Sequence, residues 1–463
     1  MSPIKRRTFL KNSLTAGAAT LLVPGTSLLA ARDPASRFRG PKRPEKLRIA
    51  FIGVGGRAQG QIKELAQSEI LAAFCDVDEA HAGNMYKAFP EVPRYRDFRQ
   101  MLDRHWKELD GVMISTPDHT HFVATIACME RGLPVFTEKP LTHNIWQART
   151  LIKAADYYKV ITAMGNQGHA TEGIRYIKEW YDAGVLGEVR EVLAWFDGPT
   201  IDGTYFKRPE VWPLPAAPVP ATLDWDLWRG PVVEDVPYHP DMVPVKWRGH
   251  FVYGCAELGD WACHTLDGPN WALDLGAPVA TELVQHETMF PTHYAPDNSL
   301  VRFEFAAKGK RPPVTLTWHD GGRKPENRPE WGLDELPNAG MIMVGSKASL
   351  MTGGRPNSPQ LIPEATWLDF RKNPPPKTIP RIKGTHVKEW TNAIKGDGPM
   401  PGSSFAYGGK LTELSLVGVL AQRFGGRIEY DEANMRITNR PELNAYVKEP
   451  VRRGWEAGDN LWK

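Results

Sequence analysis

The stretch LRIAFIGVGGRAQGQIKELAQSEILAAFCDVD, Leu47 to Asp78, decides the fold. An apolar run ends in glycines, a helical stretch follows, and a second apolar run ends in acid, which is the order of a dinucleotide-binding βαβ unit. Gly53 permits a tight turn after the first strand. Gly55 leaves bare backbone for a pyrophosphate, which the amides of Gly56, Arg57 and the following helix N-terminus then face. Ala58 stands where a third glycine often does and is small enough for that helix to lie against the strand. Asp76 falls about 20 residues beyond the glycines, where a carboxylate can accept from both ribose hydroxyls. This acid favours NAD, while Arg57 keeps NADP open because a guanidinium here can meet either a 2′-phosphate or the pyrophosphate.

Outward from this unit the pattern keeps alternating. Helical periodicity at Glu79 to Ala88 and Phe98 to Trp106 precedes an apolar strand at Gly111 to Ser115, a helix near His121 to Arg131 and a strand at Pro134 to Thr137. This predicts a doubly wound parallel sheet. Ligands of such sheets lie beyond the carboxyl ends of the strands, so Ser115, Thr116, Pro117 and His121 after one strand, and Glu138 and Lys139 after the next, should face the cofactor crevice. An ammonium at Lys139 can hydrogen-bond a substrate hydroxyl and stabilise oxygen charge as hydride leaves carbon, burial lowering its pKa toward useful values. His119 and His121 suggest a metal pair, but a helix start after Pro117 explains them as readily and no third ligand is adjacent, so no metal is expected.

With 463 residues, the chain is long enough for two domains and a leader. Residues 1–31 have a basic start, an apolar middle and a small-residue end, and Arg6, Arg7, Phe9, Leu10 and Lys11 match the twin-arginine export signal. The division is then a leader (1–31), a polar linker (32–46), a nucleotide domain (47–165) and a second α+β domain (166–463). A periplasmic or secreted protein is expected. With 57 basic and 54 acidic residues the net charge is +3, which gives no pull toward nucleic acid. No later stretch approaches the ~20 apolar residues of a membrane span, so no stable anchor is expected. The four cysteines lack paired spacing and read as buried thiols, with a Cys255 to Cys263 disulfide left open.

From Asn166 the pattern changes. Gln167 lies in a turn before a helix that carries Ile174, Ile177, Trp180 and Tyr181 and stops at Gly184, and a strand follows at Glu191 to Phe196. A long irregular stretch then carries Trp212, Trp225, Trp228 and Trp247, rings that either offer flat surfaces to a sugar or pack the loop onto the body. In Gly259 to Asp267 a helix opens with Asp260 near its positive end, and spacings of four and three put Asp260, His264 and Asp267 on one face. His264, held by a carboxylate one turn away, reads as a general base. Strand-like runs at Glu282 to Thr288, Leu300 to Phe305, Val314 to Trp318, Gly340 to Gly345 and Ala348 to Met351 predict an open, mostly antiparallel sheet, and Leu411 to Arg423 a helix.

The glycine loop, the S-T-P-x-x-x-H run ending at His121, the Glu138-Lys139-Pro140 triplet and Asp260-x-x-x-His264 together resemble the glucose-fructose oxidoreductase and inositol dehydrogenase (Gfo/Idh/MocA) superfamily. The resemblance covers nearly the whole chain after the leader. It implies catalysis by Lys139, His264 and Asp260, cofactor contacts from Gly53, Gly55, Gly56, Arg57, Ala58, Asp76, Ser115, Thr116, Pro117, His121, Glu138, Lys139 and Gln167, and a homo-oligomer formed through the second sheet. Three functions follow: an exported NAD(P)-dependent oxidoreductase acting on a secondary hydroxyl of a sugar or sugar derivative; a glycoside hydrolase or lyase that takes hydride and returns it within one cycle; or a non-catalytic sugar-binding protein.

Overall fold

The computed structural model describes residues 45–196 and 205–463, so the expected leader and most of the linker lie outside the described residues. The first sheet contains β1 (Arg48–Ile52), β2 (Ile70–Cys75), β3 (Arg94–Tyr95), β4 (Gly111–Ile114), β5 (Val135–Thr137) and β6 (Thr162–Met164), all parallel and in the order β3-β2-β1-β4-β5-β6. Its central strands are covered on both faces, which is why β4 and β5 are buried at every residue and read as unbroken apolar runs. The chain reverses direction across the sheet between β1 and β4. A crevice therefore opens beyond their carboxyl ends, between the glycine loop and Ser115.

One face of this sheet is covered by a helix from far along the chain, His386–Lys395. Its Val387, Trp390 and Ile394 pack with Phe51, Met113 and Phe136. The Phe136 and Trp390 rings meet edge-on at 5.9 Å, and Lys395 pairs with Glu69 at 2.7 Å.

The second sheet is mixed and mostly antiparallel. It is built from β7 (Val189–Phe196), β8 (Ala280–Glu287), β9 (Asn298–Phe305), β10 (Val314–Asp320), β11 (Ala339–Gly345), β12 (Ser349–Gly353), β13 (Gln360–Ile362), β14 (Gly426–Asp431) and β15 (Arg436–Ile437). The order is β13-β12-β11-β7-β10-β9-β8-β14-β15, with β7 parallel to β10 and the other pairs antiparallel. The long helix Phe405–Phe424 packs against this sheet and against the helix Ile145–Tyr158 of the nucleotide half, where Arg149 forms a bidentate pair with Glu413. It begins six residues before the expected Leu411, because Gly408 and Gly409 weaken the helical signal of its first turns.

The tryptophans of the irregular stretch mostly pack the loop onto itself. Trp228, Trp247, Met242 and Tyr253 are buried together, Trp225 stacks on Trp228 at 4.9 Å, and Trp212 stacks on His293. Of these four tryptophans, Trp228 and Trp247 reach the crevice. The cysteines are all buried free thiols, so Cys255 and Cys263 are not bonded.

Candidate active site

The crevice has a volume of about 500 Å³ and runs from the glycine loop and Asp76 at one end to Lys139, Asp260 and His264 at the other. Gly53 makes the turn at φ +81°, and a Cβ there would lie 2.6 Å from the Ser115 carbonyl oxygen. A side chain would therefore close the gap between the two strand ends. Gly55 is also required for packing. A Cβ at Gly55 would lie 2.2 Å from Cδ2 of His81, so the space beside this glycine is filled by an imidazole from the helix Glu79–Ala88. Ala58 is buried against Phe51 and Val54 and serves close helix-to-strand packing.

Asp76 also departs from expectation. Its carboxylate accepts from the amides of Val54 at 2.8 Å, Gly55 at 3.1 Å and Asp78 at 3.0 Å, so it braces the glycine loop. A carboxylate has about four lone-pair positions, which leaves about one for a ribose hydroxyl rather than the two expected. Burial raises its pKa despite these amides and the nearby His81.

His121 lines the crevice, but both ring nitrogens are engaged, Nε2 with the Thr116 carbonyl and Nδ1 with the Pro140 carbonyl, each at 2.8 Å. It ties the loop after β4 to the loop after β5, and so positions Lys139 instead of offering a nitrogen to the cofactor. His119 points elsewhere, bonded to the Trp228 carbonyl, and burial lowers its pKa to about 3. The two histidines therefore share no metal. Glu138 accepts from Gln61 Nε2 at 2.7 Å and lies 3.5 Å from Arg57. Ser115, Thr116, Pro117 and Gln167 all line the crevice, and the buried Ser115 hydroxyl has no partner among the described residues.

At the far end Lys139 Nζ donates to Asp260 Oδ1 at 2.6 Å and to the Asp260 carbonyl at 2.8 Å. Asp260 and His264 lie one turn apart on the helix Ala256–Thr265, which starts earlier than expected and places Asp260 in its second turn. Asp260 is thus the partner of Lys139 and not of His264. Burial alone would raise the Asp260 carboxyl, but the Lys139 and Arg248 charges bring it below its ordinary value. His264 is 2% exposed, and its Nδ1 has no hydrogen-bond partner among the described residues. Burial, followed by the charges of Lys139, Arg355 and Arg57, holds its pKa well below that of a free histidine. Burial and these charges therefore favour the neutral imidazole, with Nδ1 left without a partner among the described residues.

Asp267 does not share this face. The first helix ends at Thr265, Leu266 breaks it, and a new one, Asp267–Leu273, begins. The Asp267 carboxylate instead accepts from Asn166 at 3.0 Å, His169 at 2.8 Å and Tyr407 at 2.6 Å, a buried knot that fixes the junction between the two halves.

Crevice residues given no role by the sequence include His81, Arg248 and Arg355, and also Asp118, whose place in the run after β4 pointed it toward the crevice. Asp118 heads the helix after β4, directly behind Pro117, and its position there was the one available signal. Burial pushes its carboxyl up to about 6. Arg248 Nε lies 3.7 Å from Asp260 Oδ1.

Two family models match this chain. Residues 47–166 fit the Gfo/Idh/MocA oxidoreductase family's NAD-binding Rossmann fold, and residues 176–288 fit the same family's C-terminal alpha/beta domain. Together they span half of the chain. The chain belongs to the Gfo/Idh/MocA oxidoreductase family.

Among relatives of this Gfo/Idh/MocA chain, the rhizopine catabolism protein MocA of Rhizobium meliloti is 26% identical over 156 residues, 33% of this chain and 49% of that protein. An alpha-N-acetylgalactosaminidase of Tannerella forsythia is 28% identical over 217 residues, 43% of this chain and 44% of that protein. The chain thus spans less than half the length of each of these curated relatives. Among solved structures, the WlbA dehydrogenase of Chromobacterium violaceum, in complex with NADH and UDP-GlcNAcA, has the same fold. Its TM-score is 0.59 at 18% identity, covering 85% of this chain and 99% of that one. Residues 47–166 of this family member form an NAD-binding Rossmann fold, and the crevice at its strand ends is where such folds hold the dinucleotide.

Proposed function

We propose that the protein is an NAD-dependent oxidoreductase acting on a secondary hydroxyl of a sugar or sugar derivative. The observation that carries this reading is the meeting of Lys139, from the nucleotide half, with Asp260 and His264 of the second half in one crevice. The residues fit a dinucleotide: Gly53 and Gly56 keep the loop low, Ser115 offers an unpartnered buried hydroxyl, and Asp76 retains an acceptor for ribose. Bound NAD supplies a hydride acceptor. The neutral His264 takes the hydroxyl proton, and the ammonium of Lys139 hydrogen-bonds the same oxygen and stabilises charge as its proton leaves. Asp260 holds that ammonium in place, and Arg248 shares the carboxylate.

A second reading has specific support in the similarity to the Tannerella galactosaminidase: hydride is removed and returned within one cycle, and oxidation beside a C–H bond permits loss of a glycosidic leaving group. The deciding experiment is to purify the full chain, add candidate sugars and glycosides, and follow nicotinamide absorbance and glycoside release together. Lasting reduction supports the dehydrogenase. Glycoside release without net reduction supports the closed cycle, and sugar binding with neither supports a binding protein.

Export and self-association belong to the same proposal. The Arg6-Arg7 leader supports twin-arginine export of a folded, cofactor-loaded protein, and the broad second sheet supports a homo-oligomer. Replacing both arginines with lysine should retain the protein in the cytoplasm, as cell fractionation would show, and sedimentation would report the oligomer.

A further inference from the structure

The reacting end of the crevice holds a guanidinium that the mechanism above does not use. Arg355 follows β12 and lies with its Cζ 4.5 Å from the centre of the Trp261 ring. Trp261 is in turn stacked on Phe196 at 3.6 Å and set edge-on to His264 at 5.3 Å. The guanidinium is thereby fixed beside the proposed base. Among the described residues it has no ion pair and no hydrogen bond, and its Nε is sealed from solvent.

A buried donor left without an acceptor is costly unless a ligand completes it. The local carboxylates do not. Asp260 is already shared between Lys139 and Arg248, and Glu138 is engaged with Gln61 and faces Arg57. Around Lys139 and His264, Asp118, Glu138 and Asp260 stand against Arg57, Lys139, Arg248 and Arg355, which leaves one positive charge in excess. A planar guanidinium matches the two oxygens of a carboxylate or a phosphate, and stacking on an aromatic ring holds the fork in one orientation. Cofactor phosphate is the competing claimant, but the glycine loop that would hold it has its own guanidinium at Arg57.

We propose that Arg355, together with the Arg248 that lies at Asp260 in the same crevice, receives an oxyanion borne by the sugar, so that the substrate is a sugar acid or a sugar phosphate and not a neutral sugar. This rests on the oxidoreductase reading. The hydroxyl to be oxidised lies toward His264 and Lys139, and the anion is held on the Trp261 side of the same ring.

The test uses the full-length protein loaded with NAD, with tryptophan fluorescence reporting binding and nicotinamide absorbance reporting turnover. Glucose, glucuronate, glucose 1-phosphate and glucose 6-phosphate are compared, with the galactose series in parallel. Wild type should bind one anionic class roughly tenfold to a hundredfold more tightly than the matched neutral sugar. The preferred class separates carboxylate from phosphate. Arg355→Gln should erase most of that preference with NAD affinity unchanged, and Arg355→Lys should restore part of it. Equal binding of neutral and anionic sugars by wild type overturns the proposal, and so does loss of NAD binding in Arg355→Gln, which would assign the residue to the cofactor. A wild type that holds no NAD at all overturns the oxidoreductase reading itself, a result recognisably different from either.

Discussion

Lys139 Nζ and Asp260 Oδ1 lie 2.6 Å apart although 121 positions separate them in the chain. Both side chains are largely buried, at 15% and 13% exposure, so removing either strands the other. Lys139→Ala should lower turnover about 10²- to 10⁴-fold while NAD titration still shows binding. Unfolding stability should drop by about 3 kcal/mol, at the lower end for such pairs because Arg248 remains near Asp260. Lys139→Ala combined with Asp260→Ala should recover much of that stability in thermal melts and none of the activity.

His264→Ala should cost a similar factor in turnover with nucleotide binding intact. The pH dependence carries a further expectation. Because burial and the surrounding cations depress the His264 pKa, the ring stays unprotonated as pH falls through about 6.5, the ordinary histidine value. Measured in an Asp118→Asn background, which removes the neighbouring titration, kcat/KM should hold nearly flat from about pH 8 to about pH 6. An acid limb centred near the ordinary histidine value would contradict the buried, cation-flanked environment.

Asp118→Asn should itself raise stability at neutral pH. A carboxyl whose folded pKa is raised to about 6 favours the folded state while protonated. That contribution is complete below about 3.9, the ordinary aspartate value, and is lost as pH rises through about 6. The amide variant keeps the neutral form at every pH. Its melting temperature should therefore exceed that of wild type at about pH 8, with the gap closing at about pH 4.

Gly55→Ala should destabilise the nucleotide half by about 1–3 kcal/mol and weaken NAD binding, because the new methyl meets the His81 ring. Adding His81→Ala should return only part of the stability, since the His81 carbonyl carbon, at 2.8 Å from the same point, remains. Thermal melts of the single and double variants with NAD titrations would check both parts.

The parts of the site that were legible in the sequence are those set by local order. The turn at Gly53, the strand ends at Ser115 and Glu138, and the one-turn spacing of Asp260 and His264 each follow from a few neighbouring residues. What escaped depends on contacts distant in sequence. Nothing near Arg355 indicates that its loop will settle on Trp261, and His81 reads as an ordinary helix residue until the glycine loop is folded against it. The break at Leu266 defeats a helical wheel because Asp267 is drawn away by Asn166, His169 and Tyr407, two of them a hundred residues earlier and one far later. Asp76 shows a related limit: its type and position were legible, but the three backbone amides of Val54, Gly55 and Asp78 that donate to its carboxylate were not.

The helix His386–Lys395 supplies Trp390 and Ile394 to the hydrophobic face formed by Met113 and Phe136. During synthesis, then, the nucleotide-holding half leaves the ribosome with a bare apolar flank that is sealed only after more than two hundred further residues have been made. Release cut short after residue 165 should yield a sticky fragment, and the nucleotide half is sealed only once synthesis has passed Lys395.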